Sequence, residues 1–520
     1  MKKEIEISIP HKFIDDNDFI KNSVAKKLGI AREELDGMVF LRRSIDARKS
    51  PVYRIRLVAF VNEYPHKEKT VFRFRNTDNA LRVVVVGSGP AGLYAALRLL
   101  EHGIKPIVLE RGEDVRTRRR ALKKIMLEGE VNENSNYAFG EGGAGTYSDG
   151  KLYTRSKKRG NVKRALDLLV YHGADEDITV DSHPHIGSNK LPKIIERMRE
   201  TILTYGGEIR FNAKVTDFII LNGTVRGVIV NEAEEISADA VIVAAGHSAR
   251  DVWEIFARHN LRLEAKPFAL GVRIEHPQPL IDAIQYKIKT RPLTLPAASY
   301  SLTNNYKGRG IYSFCMCPGG IIIPASTRND ELVLNGMSVS KRNSPFANSG
   351  LVVSVKEDDW MKYNKFGYFA ALEFQKEVER AMFLYGGGRQ TAPAQRLTDF
   401  VNRKISADLP RTSYKPGTVS APLHEILPSQ IVEGLQKSLP AFGRKMRGFY
   451  TEEAVLLAPE SRTSSPVKVP RKQDTLEHVD CENLFPAGEG AGYAGGIISA
   501  AMDGEKVADA VATKLNNYKF

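Results

Sequence analysis

Runs of apolar residues and short glycine-rich turns alternate along the chain and predict an α/β protein. Four consecutive valines at positions 83–86 suit a parallel strand that is buried on both faces. An apolar helical stretch begins near Pro90 and ends at Gly103, and a second strand follows over residues 105–110. This order of strand, turn, helix and strand predicts a βαβ unit.

The glycines of this unit indicate the kind of ligand that it binds. Gly87 allows a sharp turn after the strand, Gly89 lacks the Cβ atom that would block a pyrophosphate, and Gly92 lets the helix pack closely. The amides at the helix N-terminus then face the phosphate charge. Glu110 ends the second strand, where a carboxylate accepts hydrogen bonds from a ribose 2′-OH. The unit is therefore predicted to bind an adenine dinucleotide.

The hydrophobic pattern before residue 80 predicts a separate small α+β domain over residues 1–80. A strand at 4–10 is followed by a helix around 19–28, and strands follow near 38–45 and 53–60. This segment is interpreted as an appendage to the dinucleotide-binding part.

The remaining chain is predicted to fold as one dinucleotide-binding domain that is interrupted by a second domain. Its first part covers residues 81–264, and its C-terminal part covers residues 441–520. Residues 265–440 are rich in proline and short strand-like runs and contain one clear helix at 366–385. They are interpreted as an inserted substrate domain of mixed α+β structure.

Three further segments carry glycines or small residues where strands end. They are the loop at 139–151, the strand at 240–245 that stops on small residues, and the turn at 483–498 before a helix that runs from about Ser499 into the final residues. The last turn contains Glu489, which favours ligand hydroxyls over phosphates. An extended FAD molecule that crosses the edge of a parallel sheet would use all of these segments, whereas a mononucleotide would not.

Composition and charge limit which cellular compartment and which binding partners are expected. The chain has 520 residues, 42% of them hydrophobic, with three cysteines and no run of about 18 apolar residues, so we expect a cytoplasmic protein without a membrane span. No Cys/His cluster has zinc spacing, and His183 and His185 are interpreted as loop residues, so no metal is predicted. The net charge of +14 leaves nucleic acid as an alternative partner. Its densest basic stretch, at 116–124, is predicted to be a solvated helix face.

Several motifs resemble one family of flavoproteins. The glycines at 87–92, the acid at 110, Ala-Ala-Gly at 244–246 and Ala-Gly-Glu-Gly at 487–490 resemble the glutathione-reductase-type superfamily with two dinucleotide-binding domains. The segments at 140–151, 313–320, 461–465 and 488–504 resemble bacterial FAD-dependent dehydrogenase-like proteins, often labelled NAD(FAD)-utilising dehydrogenases. The longer Glu489 stands where the superfamily usually has Asp.

The resemblance implies non-covalent FAD, with Glu110 on the adenosine ribose, Glu489 on the ribitol and the 140–151 loop against the flavin. The predicted FAD-binding residues are Gly87, Ser88, Gly89, Pro90, Ala91, Gly92, Glu110, Arg111, Gly142, Gly143, Ala144, Gly145, Thr146, Ser148, Lys151, Val215, Ala245, Gly246, Gly488, Glu489, Gly495, Gly496 and Ile497. Lys151 has three possible places: at flavin N1 and C2=O, at the pyrophosphate, or in solvent.

The candidates for catalysis are five residues with two interpretations each. Cys315 and Cys317 are either small buried hydrophobic residues or thiols that face the flavin. Two cysteines that are two residues apart in a strand can form a disulfide only where a bulge or turn interrupts the strand. Arg396 and Arg462 either bind an anionic substrate or form surface salt bridges. His247 either donates a proton near the cofactor or packs after the strand end.

The sequence therefore predicts an FAD-dependent oxidoreductase that exchanges a hydride with an organic substrate or with NAD(P)H as a transient reductant. One alternative is a flavin-dependent RNA-modifying or RNA-associated protein, based on the charge and on residues 1–80. The other alternative is a non-catalytic flavin-binding sensor.

Overall fold

The N-terminal segment forms an antiparallel sheet of three strands with one helix, in the predicted order. The computed structural model of the protein describes residues 1–66, 70–154 and 160–517. The elements of this segment are β1 (Lys2–Pro10), α1 (Asn17–Leu28), β2 (Leu35–Asp46) and β3 (Val52–Val61).

The predicted βαβ unit lies at the centre of the next part of the chain. The elements of this part are β4 (Arg82–Val86), α2 (Pro90–Glu101), β5 (Lys105–Leu109), α3 (Arg118–Leu127), α4 (Val162–Tyr171), α5 (Leu191–Thr204), β6 (Glu208–Arg210), β7 (Val215–Leu221), β8 (Thr224–Val230), β9 (Glu234–Ser237), β10 (Ala240–Val243) and α6 (Arg250–Arg258).

The third part of the chain supplies a second, larger sheet. Its elements are β11 (Glu264–Ala265), β12 (Phe268–Pro277), α7 (Gln278–Tyr286), β13 (Thr303–Tyr306), β14 (Arg309–Cys317), β15 (Ile321–Pro324), β16 (Leu334–Met337), β17 (Phe346–Val355), α8 (Ala370–Tyr385), β18 (Ala392–Arg396), α9 (Leu397–Val401), β19 (Thr418–Ser420), α10 (Leu423–Ile426), α11 (Ser429–Lys445), β20 (Val455–Glu460) and β21 (Val467–Lys468). The chain ends with β22 (Leu484–Pro486) and α12 (Ile497–Asn517), and residues 518–520 lie outside the described residues.

The five-stranded sheet is parallel and has the order β22-β10-β4-β5-β6. Its two faces are both covered, as the four valines predict. Val83 and Val85 pack into a core with α2 and α12, whereas Val84 and Val86 pack on the other side with α6 and with the small sheet β7-β8-β9. A strand with apolar side chains on both faces is stable only between two such layers.

The seven-stranded sheet has the order β13-β14-β17-β12-β20-β18-β19. Because β20 pairs with both β12 and β18, this sheet extends past the boundary predicted at residue 440. The helix predicted over 366–385 begins only at Ala370, because Gly367, with a φ of +57°, kinks the preceding 3-10 segment, Glu357–Phe369.

The N-terminal sheet does not stand apart from the rest of the molecule. Its buried residues Ile9, Ile55 and Leu57 belong to the same hydrophobic core as the seven-stranded sheet. Tyr53 also donates a hydrogen bond to the backbone of Thr294 over 2.7 Å. The segment predicted as an appendage therefore shares its core with the larger sheet.

Candidate functional site

A cavity of about 370 Å³ lies at the carboxyl ends of β4, β5 and β10. Ligands of open α/β sheets bind at this edge, because the loops that follow the strands diverge there. The cavity is closed on its other sides by the loop at 143–151, by residues of β14 and β16, and by the turn before α12. Segments that are far apart in sequence thus line one space.

The three glycines of the βαβ turn have three different reasons to be glycine. Gly87 has a φ of +99°, and a Cβ atom at Gly92 would lie 1.9 Å from the Gly87 carbonyl oxygen. Gly89 has an ordinary φ of −70°, and an added Cβ would meet no protein atom closer than 4.0 Å. Neither the backbone conformation nor contacts with other protein atoms require glycine at position 89. A glycine there keeps the cavity in front of it open to a ligand.

The turn before α12 repeats this arrangement. A Cβ atom added at Gly246, Gly495 or Gly496 would meet nothing within 4 Å, and of these only Gly495 has a φ outside the left-handed region. The N-termini of α2 and α12 both open onto the cavity, since Pro90 and Ile497 line it. Two helix N-termini and a glycine-lined wall fit a ligand that carries negative charge and approaches the backbone closely.

Glu110 lies at the predicted place but has more partners than the sequence suggests. Its Oε2 accepts hydrogen bonds from the backbone amide and hydroxyl of Ser88, over 3.0 and 2.8 Å. Its Oε1 accepts from the amides of Gly112 and Gly140, each over 2.9 Å. The carboxylate, 4% exposed, therefore joins three loops. A ribose hydroxyl would bind the same carboxylate oxygens of Glu110 as these donors. Glu110 therefore stabilises the turn and is also the predicted ribose ligand.

Arg111 also takes part in the cavity wall. Its Nη2 donates to both carboxylate oxygens of Asp251, over 2.7 and 2.8 Å. Its guanidinium carbon lies 4.4 Å from the centroid of the Phe139 ring. Residues on two other segments, Asp251 and Phe139, thus fix the orientation of this side chain.

Arg118 is the exception in the basic stretch, whose other members are exposed as the predicted solvated face requires: Arg116, Arg119, Arg120, Lys123 and Lys124. The Arg118 side chain is 0% exposed and donates to three backbone carbonyls, those of Asn136, Glu141 and Gly143, over 2.8 to 3.0 Å. These carbonyls belong to the glycine loop, so Arg118 holds the loop in place. The hydrophobic pattern could not reveal this, because an arginine at the start of an amphipathic helix is ordinarily exposed.

Glu141 is a buried acid within the same loop. Its Oε2 accepts hydrogen bonds from the Val115 amide and from Arg199 Nη1, each over 2.9 Å, and Oε1 has no hydrogen-bond partner in the described part of the chain. Burial raises the pKa of Glu141 to about 7. The protonated form of Glu141 is therefore favoured below about pH 7 in the folded protein.

We expect Glu141→Gln to remove part of the pH dependence of stability. Because the folded pKa is raised, the contribution of Glu141 is complete below about pH 4.5 and is lost as the pH rises through about 7. The free energy of unfolding of the variant minus that of the wild type should increase by about 2–3 kcal/mol over this range. Urea unfolding of both proteins at several pH values measures this difference in the free energy of unfolding. Glu133→Gln, at an exposed position, is the control. A difference that stays constant with pH would contradict the expectation.

Two cations and two thiols meet at one end of the cavity. Lys151 Nζ lies 3.5 Å from Cys317 Sγ and 3.4 Å from Asp149 Oδ2. Fully buried Arg273 places Nη2 2.9 Å from the Cys315 carbonyl oxygen and 3.5 Å from Cys317 Sγ. Lys151 lines the cavity, and its ammonium group contacts the thiol and the carboxylate there.

The two cysteines do not lie on one face of a regular strand. The register of β14 with β17 shifts between Phe314 and Cys317, and Cys315 has a φ of +46°. As a result Cys315 is exposed to the cavity while Cys317 is buried behind it, and both line the space. Desolvation inside the cavity raises the pKa of Cys315 to about 11.

The other predicted catalytic residues separate into two groups. His247 lines the cavity, and its Nδ1 lies 3.4 Å from Oε2 of Glu489. Arg462 also lines it, but its guanidinium is engaged with Glu331 and Glu379 in a buried cluster that includes Arg250. Neither interpretation offered for Arg462 describes it fully, since it is a buried ion pair and not a surface one.

Arg396 lies outside the cavity lining and forms a salt bridge, which is the second of the two interpretations given for it. Its Nη2 pairs with Asp408 Oδ1 over 2.9 Å, and its Nη1 donates to the Glu452 carbonyl over 2.8 Å. The side chain therefore ties together two loops of the larger sheet.

Most of the predicted FAD-binding residues line this one cavity. Those that line it are Gly87, Gly89, Pro90, Ala91, Glu110, Arg111, Gly143, Ala144, Gly145, Ser148, Lys151, Val215, Ala245, Gly246, Glu489, Gly495, Gly496 and Ile497. Those that do not are Ser88, Gly92, Gly142, Thr146 and Gly488. The sequence-based prediction missed Tyr153, Phe314, Asn335, Gly336 and Thr463, which also line it. Strand pairing brings Phe314 and Asn335 there; Phe314 lies in the segment at 313–320 that carries the resemblance, whereas no motif marks Asn335.

Comparison with known proteins identifies the family. A model described as "FAD-dependent protein, C-terminal domain-like" matches residues 267–463, one described as "FAD binding domain" matches residues 80–125, and a domain of unknown function matches residues 1–60. The chain is 40% identical over 525 residues to an uncharacterized protein of Clostridium beijerinckii, covering 96% of this chain and 97% of the relative. The chain belongs to this family of FAD-dependent proteins.

Solved structures resemble the FAD-dependent protein only distantly. Tetracycline destructase Tet(51) is 13% identical with a TM-score of 0.35, covering 85% of this chain and 83% of the other. A geranylgeranyl bacteriochlorophyll reductase-like protein from Thermoplasma acidophilum is 13% identical with a TM-score of 0.35, covering 85% of this chain and 80% of the other. CtdE in complex with FAD is 11% identical with a TM-score of 0.31, covering 85% of this chain and 90% of the other. TM-scores this low have no bearing on the reaction. No described helix is long and apolar enough to cross a membrane.

Proposed function

We propose that the chain is an FAD-dependent oxidoreductase that transfers a hydride between non-covalently bound FAD and an organic substrate or NAD(P)H. The observation that carries this proposal is the pair Gly89 and Gly495, which face open cavity and need glycine for neither backbone nor protein packing. FAD supplies the hydride chemistry when it is bound, so the protein has to bind, orient and tune it.

The residues around the cavity divide this work between them. The turn at 87–91 and the N-terminus of α2 would hold the pyrophosphate, with Glu110 at the adenosine ribose. Glu489 would meet the ribitol hydroxyls, and the loop at 143–151 together with the start of α12 would face the flavin. A helix N-terminus at that position stabilises negative charge that develops on reduction.

The path of the chain supports the glutathione-reductase-type arrangement with an inserted substrate domain. The chain leaves the parallel sheet after β10, forms the seven-stranded sheet, and returns to the parallel sheet at β22, next to β10. We assign the substrate domain to residues 265 to about 463, which follows both the sheet and the match to the C-terminal domain model. A cavity between this sheet and the parallel sheet is where the substrate would meet the cofactor.

Anaerobic reduction of the bound flavin tests this function. We expect purified protein to carry FAD, seen in its visible absorbance, and a panel of metabolites, NADH and NADPH to contain a reductant that bleaches it. The bleaching should be faster than that of free FAD with the same compound. Protein that stays colourless after FAD is added overturns the proposal. Bound FAD that no compound reduces faster than free FAD favours the sensor alternative instead.

A further inference from the structure

The backbone at Cys315 is held in a conformation that a cysteine seldom adopts. A φ of +46° is uncommon for a residue other than glycine, and such residues persist where their surroundings fix them. Here Arg273 fixes the peptide, because its Nη2 donates to the Cys315 carbonyl over 2.9 Å. Arg273 is itself held by Glu460 over 2.8 Å and by Asn348 over 2.9 Å. The bulge is therefore a built feature of the cavity wall.

The bulge brings the two cysteines to the same end of the cavity. Cys317 Sγ lies 3.3 Å from the Cys315 carbonyl oxygen, so its side chain points back toward the other cysteine. The Cys315 side chain is exposed to the cavity that both residues line. A bulge is the irregularity that relieves the long separation of cysteines two apart in a strand.

The surroundings of Cys317 differ from those of an inert buried cysteine. Lys151 Nζ and Arg273 Nη2 each lie 3.5 Å from its sulfur. Reactive cysteines lie in electropositive, partly accessible surroundings, whereas structural buried cysteines do not. Cys481, the third cysteine, is also buried, but it lies outside the cavity lining. The chain thus contains its own control thiol.

We propose that Cys315 and Cys317 form a redox-active dithiol/disulfide couple that exchanges an electron pair with FAD bound in the cavity. Oxidation breaks two S–H bonds and forms one S–S bond. Both electrons pass to oxidised FAD with one proton, and the second proton passes to solvent. The cofactor half of this inference rests on the proposed function, whereas formation of the disulfide does not.

Counting thiols by mass spectrometry tests the disulfide separately from the flavin. Holoprotein is equilibrated in dithiothreitol buffers of increasing oxidised fraction and in a final, most oxidising buffer that contains diamide. Each sample is quenched with acid and alkylated with N-ethylmaleimide after unfolding. Wild type should change from three labels to one, with the accompanying loss of two hydrogens. Cys481→Ala should change from two labels to none, while Cys315→Ala and Cys317→Ala should keep two throughout. Three labels on wild type in the most oxidising buffer would overturn the couple.

Anaerobic titration with dithionite tests the exchange with FAD. Wild type and Cys481→Ala should take up two electron pairs per bound FAD, and Cys317→Ala should take up one. An oxidised couple that forms by mass but adds nothing to the titration overturns the electron exchange while the disulfide stands. If the protein contains no FAD, the proposed function is wrong and so is the electron exchange with FAD. The thiol count by mass spectrometry then decides only whether the disulfide forms.

Discussion

Replacing Arg118 with methionine should lower the free energy of unfolding by about 3–5 kcal/mol. Methionine keeps much of the side-chain volume but removes the donor of the buried Asn136 carbonyl, which costs about 1–3 kcal/mol. The carbonyls of Glu141 and Gly143 keep Thr146 as a donor and lose their hydrogen bonds to the charged guanidinium, each worth about 1.5–3 kcal/mol. Denaturant unfolding of the purified variant measures the change.

Arg120→Met is the matched control for this experiment, because Arg120 is exposed on the same helix. We expect its effect to stay within about 0.5 kcal/mol. The loop that Arg118 holds also lines the cavity, so the Arg118 variant should retain less flavin than the control variant. Equal stability of the two variants would show that the loop does not depend on the buried guanidinium.

The alternative of RNA binding can be tested by reversing the charge of basic residues on this helix. Because Arg118 is buried, its charge reversal would disturb folding, so the test should change only the exposed Arg119 and Arg120.

Replacing Gly89 with valine should weaken FAD binding by about 10- to 100-fold while the flavin-free protein stays folded. The added side chain enters the cavity, where no protein atom lies within 4 Å of its Cβ except the Gly143 Cα at 4.0 Å. Overpacking against a bound group costs about 1–3 kcal/mol, which corresponds to this range of affinity. Fluorescence titration of flavin-stripped protein with FAD measures it.

Gly89→Ala should give a smaller loss than Gly89→Val, since one methyl group enters the cavity instead of three carbons. Gly89 is also the N-cap of α2, where alanine and valine are both less favourable than glycine by about 1 kcal/mol. Thermal unfolding without FAD should therefore show a similar, small decrease in both variants. Unchanged FAD affinity in both variants would show that the cofactor does not pass this turn.

The regular elements could be predicted because their causes are local. Apolar runs and glycine turns placed β4, α2 and β5 within two residues of their observed bounds. The same pattern located the three segments that converge on the cavity. A periodic pattern reports which face of an element is buried, and it does so without knowledge of the partner.

The irregular features could not be predicted because their causes are distant in sequence. The bulge at Cys315 depends on Arg273 and on the pairing of β14 with β17. Arg396 and Arg462 look alike as sequence motifs, yet only Arg462 lines the cavity. Which arginine meets a ligand, a carboxylate or a carbonyl depends on how the two sheets meet.

The sequence by itself determined a dinucleotide-binding βαβ unit, the residues of its glycine turn and the acid at its end, because strand burial, turn conformation and helix packing act over a few residues. Only the tertiary structure decided that Glu110 also organises three loops, that Arg118 is a buried clamp, and that two cations flank Cys317. These contacts join residues from separate elements, so they arise when the parallel sheet and the larger sheet close around one cavity.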